Sequence, residues 1–147
     1  KMAAFVDDAT RKGARTVYAM DKGAVPTSGH FFGPIVMTGV TRDMDLYQNE
    51  IFGPICGIVK FESEAELISI VNDGINVGLA GYFYSNHVGR IMRVSEAIDV
   101  GMVGVNTGLI SSEVSPFGGV KESGSGREGS KHGIGEYLNI KSVSVNY

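Results

Sequence analysis

Apolar and polar positions change period several times along the 147-residue chain. Met2, Phe5, Val6 and Ala9 recur at the spacing of one helix face, and Gly13 is placed to end that helix. Thr16 to Met20 reads as a short strand, and Asp21 to Gly29 as a loop broken by Gly23, Pro26 and Ser28. Phe31 to Val40 is extended but carries Gly33-Pro34, which disfavours a central place in a sheet. Ile55 to Phe61 is an apolar run of strand length. Ser63-Glu64-Ala65-Glu66 has the form of a capping box opening a helix with Leu67, Ile68 and Val71 inward. Gly78 ends that connection and Leu79 to Tyr84 forms a second strand. Ser85 or Asn86 then caps a helix whose face is Val88, Ile91, Met92, Ser95 and Ile98. Met102 to Val105 is a third strand.

Strand–helix–strand–helix–strand with short connections predicts an α/β fold, a parallel-sheet core flanked by helices with right-handed crossovers. Ligands of such sheets bind beyond the carboxyl ends of the strands, which points to Ser85 and above all to the loop Asn106 to Lys121. A short helix is expected around Gly133 to Leu138. Beyond it Ile140, Val143 and Val145 give the tail an alternation with no strand nearby to pair with, so pairing with another chain is expected. No repeat and no linker divides the chain.

Composition narrows the partners. Hydrophobic residues at 43% and charged ones at 20% describe a globular chain, and a net charge of −3 argues against nucleic acid as the main partner. No apolar run is long enough to cross a bilayer, so no membrane partner is expected. Cys56 is the only cysteine, which excludes an internal disulfide and favours a reducing compartment, and an intracellular place is expected, with cytoplasm and mitochondrion both left open. The chain opens at Lys1-Met2-Ala3-Ala4-Phe5, already inside a helical pattern and without a targeting segment, as a piece of something longer would.

Gly124-Ser125-Gly126-Arg127-Glu128-Gly129 matches the G-x-G-x-x-G spacing of a dinucleotide fingerprint. That motif needs a buried strand before it and half of a βαβ unit after it, whereas Pro116 to Ser123 is no strand and Tyr147 follows too soon. These glycines are better read as a turn that permits positive φ and tight packing, with Arg127 tying down the domain and subunit edge. His30, His87 and His132 lack metal-ligand spacing, and no metal site is expected. Cys56 lies in the apolar strand Pro54 to Val59, where a buried, inert thiol is expected. Asp7 and Asp8 are read as solvated on the polar face of the first helix. Glu50-Ile51-Phe52-Gly53-Pro54 stands apart: a carboxylate can accept from both hydroxyls of a ribose, and an aromatic edge can wall off a flat ring.

That stretch belongs to an ordered series with Asn76-Val77-Gly78-Leu79-Ala80, Gly101-Met102-Val103-Gly104-Val105-Asn106 and Pro116-Phe117-Gly118-Gly119 through Gly129. The series closely resembles the C-terminal part of the NAD(P)-dependent aldehyde dehydrogenase family, over essentially the whole chain. Asn106 to Ser112 before Pro-Phe-Gly-Gly, and Gly129-Ser130-Lys131-His132-Gly133-Ile134, look most like the succinate-semialdehyde dehydrogenase branch. The resemblance implies NAD or NADP as cofactor and succinic semialdehyde as substrate, with Glu50 on the nicotinamide ribose and Phe52 beside the nicotinamide. It implies Ser111 as donor to the far carboxylate and Phe117 as a wall of the aldehyde pocket.

The resemblance also implies that the catalytic cysteine and general-base glutamate lie before Lys1, so that no catalytic residue is present, Cys56 does not inherit the role, and this stretch alone is inactive. Residues 1–138 would then belong to the catalytic domain and 139–147 to an oligomerisation strand joining a homo-oligomer. Asn49 stands where the family often has a second Glu. The alternatives are another aldehyde dehydrogenase, or a free-standing interaction module that associates through its tail strand.

Overall fold

The computed structural model describes residues 1–147, and the chain divides into two compact units, Lys1–Glu62 and Ser63–Tyr147. In the first, α1 (Met2–Arg11) is followed by β1 (Arg15–Ala19), β2 (Ile35–Thr38), the short helix α2 (Asp45–Gln48) and β3 (Ile55–Ile58). The strands form one sheet in the order β1-β2-β3, with β1 antiparallel and β3 parallel to β2. Phe5 and Ala9 of α1 meet Met37, Val40, Met44, Leu46 and Ile55 in a hydrophobic cluster, where Met37 and Met44 are fully buried. Unbranched methionines fill such irregular gaps between a helix and a sheet face.

Two expectations for this unit change. The Phe31–Val40 segment supplies the central strand, because Gly33 and Pro34 precede β2 and Pro34 joins the pairing only through its carbonyl, which accepts the Met20 N–H at 3.0 Å. Cys56 is exposed, since β3 is the last strand of the sheet and alternation turns Cys56 and Ile58 away from the face that buries Ile55.

The second unit contains α3 (Glu64–Asn72), β4 (Val77–Gly78), β5 (Ala80–Phe83), α4 (Val88–Ala97), β6 (Met102–Val105), β7 (Val120–Lys121) and α5 (Ser130–Gly133). The expected cap is present: Ser63 Oγ accepts the Glu66 N–H at 3.1 Å. Strands β5 and β6 pair in parallel, from Ala80 opposite Met102 to Phe83 opposite Val105, and β4 pairs antiparallel with β7. The fold is mixed α/β with parallel pairs flanked by helices, but β3 does not share a sheet with β5 and β6. β3 pairs with β2, whereas β5 and β6 pair with each other across the α4 connection.

Helix α4 begins one residue later than expected. His87 caps it, with Nδ1 accepting the Arg90 N–H at 3.1 Å, in place of Ser85 or Asn86. Its packed face is centred on Val94, 3% exposed, while Val88 and Met92 face outward at 72% and 55%. A face through Ile91, Val94, Ser95 and Ile98 keeps the 3.6 period equally well, which is why the pattern alone did not single it out. Beyond the last turn, Ile140, Val143 and Val145 are exposed and join no ladder within the chain. No helix is long and apolar enough to cross a membrane.

Candidate functional site

In the first unit the candidate residues sit on the arm between α2 and β3. Ile51 packs against the core, so its neighbours Glu50 and Phe52 point outward. Phe52 is 86% exposed and adopts φ 45°, a left-handed backbone that a bulky residue enters only under constraint. The constraint is visible next door, where a Cβ on Gly53 would lie 2.2 Å from the Met2 sulfur. The arm therefore runs in contact with the Met2 side chain of α1, which a larger residue at position 53 would displace. Glu50 is exposed with no hydrogen-bond partner inside the chain. Asn49 Nδ2 donates to the Asp45 carbonyl at 3.0 Å and closes the end of α2.

The segment ahead of the arm is tightly tied. Asp8 Oδ2 accepts the Asp45 N–H at 2.8 Å, and Asp8 Oδ1 meets Lys12 Nζ at 2.9 Å. Lys12 Nζ also donates to the Asp43 carbonyl at 2.5 Å. Of the pair expected to be solvated, Asp7 is exposed, whereas Asp8 is 7% exposed and held by partners. The Asp45 N–H first, then Lys12, hold its carboxyl below the usual carboxylate range, and the same pair holds the Lys12 ammonium above its usual one. A signal was available: Phe5, Asp8, Ala9 and Lys12 share one stripe of the helix.

In the second unit Ser111 and Phe117 lie on the loop that leaves the carboxyl end of β6 and returns at β7, the edge expected to be functional. Buried Gly104 leaves room for Ile110, whose Cγ2 would lie 2.8 Å from a Cβ there. Ile110 is thereby seated over β6, and the next side chain, Ser111, is exposed with no hydrogen-bond partner inside the chain. Phe117 is half-buried, and its backbone exchanges two hydrogen bonds with Glu128, at 2.9 and 2.7 Å. The Ser130 N–H donates to the Glu113 carbonyl at 2.9 Å and ties the middle of the loop. The structure thus puts Glu50 and Phe52 together on one arm and Ser111 and Phe117 together on one loop.

The glycine run holds that loop from below. Gly124, Gly126 and Gly129 all have positive φ, as expected. Arg127 donates from one guanidinium nitrogen to the carbonyls of Gly119 at 2.8 Å and Gly126 at 2.6 Å. Contrary to the expectation that Pro116 to Ser123 holds no strand, β7 lies just before the run and pairs with β4. It is two residues long and half-exposed, not the buried strand a dinucleotide fingerprint needs, and α5 after the run spans four residues. The G-x-G-x-x-G spacing here builds a turn beneath the Phe117 ladder.

Comparison with known proteins places this geometry. Residues 1–143 match the aldehyde dehydrogenase family. The mitochondrial succinate-semialdehyde dehydrogenase of Rattus norvegicus is 51% identical over 143 residues, covering 97% of this chain and 27% of that protein. The 3-sulfolactaldehyde dehydrogenase of Pseudomonas putida is 48% identical over 145 residues, 99% of this chain and 29% of that protein. The crystal structure of succinate-semialdehyde dehydrogenase from Burkholderia pseudomallei superposes with a TM-score of 0.84 at 51% identity, over 95% of this chain and 28% of that one. The chain thus spans well under a third of the length of these relatives, and it belongs to the aldehyde dehydrogenase family.

Proposed function

We propose that this chain supplies the nicotinamide-ribose arm and the substrate loop of an NAD(P)-dependent dehydrogenase for aldehydes with an anionic far end, succinic semialdehyde foremost. The 106–117 loop carries the reading: an outward, unpartnered Ser111 hydroxyl on a segment pinned at Glu113 and Phe117. A substrate carboxylate withdrawn from water costs several kcal/mol unless donors meet it, and a pre-placed hydroxyl donor reduces that cost. Phe117 offers an apolar wall for the carbon chain. The names of the relatives agree, since semialdehydes of succinate and sulfolactaldehyde both end in an acid group.

The residues of the arm fit NAD or NADP. Glu50 has free carboxylate oxygens to accept from the two ribose hydroxyls, and Phe52 presents an exposed ring to a flat heterocycle. When bound, the nicotinamide takes up the hydride that the aldehyde carbon loses on oxidation. Glu50 orients the ribose, Phe52 excludes water from one side of the ring, and Ser111 and Phe117 orient the substrate. Residues 139–147 are assigned to pairing with a second copy, their apolar side chains being exposed along the tail.

The test is an assay of the full-length protein that contains this chain. It should reduce NAD or NADP with succinic semialdehyde at a kcat/KM at least tenfold above that for butanal. Equal kcat/KM values, or no cofactor reduction, would remove the reading.

A further inference from the structure

The arm that carries Glu50 and Phe52 has no ladder of its own, yet its placement must hold if it is to meet a ribose and a ring. A shift of 1 Å in such a group is costly to a reaction, so something must fix where the arm departs. Two observations identify what does. The first is the Asp8 carboxylate, which accepts the Asp45 N–H at 2.8 Å across 37 residues of sequence while bonded to Lys12 at 2.9 Å. Asp45 is the first residue of α2, so a carboxylate on α1 stands in for the missing N-terminal cap of α2, where Met44 has no polar side chain to offer. The second is the fit of Gly53 against Met2, which brings the far side of the arm onto the same helix.

We propose that Asp8 is a positioning residue for the cofactor arm: its carboxylate anchors the first turn of α2 to α1 and so sets the place from which Asn49, Glu50 and Phe52 project. Lys12 completes the device by bonding both the Asp8 carboxylate and the Asp43 carbonyl. Asp8 itself touches neither cofactor nor substrate. The inference rests on the reading of Glu50 and Phe52 as a cofactor arm, but its structural half can be measured without any cofactor.

The experiment compares Asp8→Ala, Asp8→Asn and Glu50→Ala in the full-length protein. Amide hydrogen exchange is read at Tyr47, Gln48 and Asn49, whose N–H groups bond the Met44 and Asp45 carbonyls. Asp8→Ala should speed exchange there about tenfold, on the order of one charge-assisted hydrogen bond, while the Met37 amide of β2 keeps its rate. Asp8→Asn retains an oxygen for the Asp45 N–H and should restore most of the protection. NADH and NADPH binding, followed by nicotinamide fluorescence, should weaken about tenfold in Asp8→Ala. In the double variant with Glu50→Ala, the loss should be smaller than the product of the two single losses.

Unchanged exchange at Tyr47 to Asn49 would overturn the anchoring role, as would multiplicative losses in the double variant. If Asp8→Ala does not fold, Asp8→Asn and Lys12→Met carry the test: Asp8→Asn should bind cofactor nearly as the parent does, and a loss equal to that of Glu50→Ala would overturn the proposal. A parent protein that binds neither cofactor sinks the functional reading, and the exchange rates then decide the anchor by themselves.

Discussion

The Asn106 side chain closes on both backbone groups of Ser85: its Oδ1 accepts the Ser85 N–H at 2.9 Å, and its Nδ2 donates to the Ser85 carbonyl at 2.9 Å. The amide acts as a further peptide unit added to the β5–β6 ladder, which ends with Phe83 opposite Val105. It does so from φ 55°, a conformation that Asn tolerates better than other side chains. Replacing Asn106 by Ala should therefore cost about 1–2 kcal/mol, for two partly exposed hydrogen bonds and a strained backbone together. Asn106→Gly removes the clasp but relieves the strain, so it should lose less than Asn106→Ala. Denaturant unfolding of both variants checks the order, and a more stable Ala variant would contradict it.

Gly101 marks a close backbone approach on the other side of β6. A Cβ there would lie 2.0 Å from the Gly118 carbonyl oxygen, with Gly119 Cα at 2.8 Å. Since the obstacle is backbone, no side-chain rotation relieves it. Gly101→Ala should destabilise by about 2 kcal/mol or more and displace the Phe117 end of the loop. An unchanged unfolding midpoint would show that the approach is looser than described.

Acid should separate Asp8 from its surroundings. Its carboxyl is held below the usual range by the Asp45 N–H and Lys12, so its contribution is complete above the unfolded value and fades as pH falls through the folded one. Asp43 and Glu64 are held low as well, by the Thr41 hydroxyl and by Arg93 respectively, so total acid loss belongs to several groups. The difference in Tm between the parent and Asp8→Asn isolates one of them. It should be largest near about pH 7 and shrink below about pH 4. A gap that widens in acid would be the wrong sign for a depressed carboxyl.

The tail offers an assembly test. Ile140 is fully exposed and Val143 and Val145 are 75% and 65% exposed, a side-chain row with nothing to cover it inside the chain. Removing residues 139–147 from the full-length protein should lower its mass in solution to that of a smaller assembly. Light scattering that returns the parent's mass would refute a pairing role for this tail.

The local grammar of the chain was readable because it rests on short-range physics. The Ser63 cap, the strands at Ile55 and Met102 and the positive φ of Gly124, Gly126 and Gly129 each depend on neighbours within a few residues. What escaped was set by distant partners. Asp8 looks like any solvated acid until Asp45, far along the chain, supplies its N–H. Cys56 reads as core until β3 proves to be an edge with one covered face. Sheet membership escaped for the same reason, since the apolar runs of β3, β5 and β6 carry no label for which strand each will pair with. Of the site, the arm and loop residues stood out only as parts of an ordered family pattern, and Ser111 has no signature of its own.

The most direct measurement of the functional account is the effect of Ser111→Ala on two aldehydes in the full-length protein. If the hydroxyl anchors the far anion, KM for succinic semialdehyde should rise about tenfold, near the worth of a hydrogen bond to a charged group, and KM for butanal should change little. An equal change for both aldehydes would contradict the account, because a group that cannot tell the charged chain from the neutral one does not hold the charge.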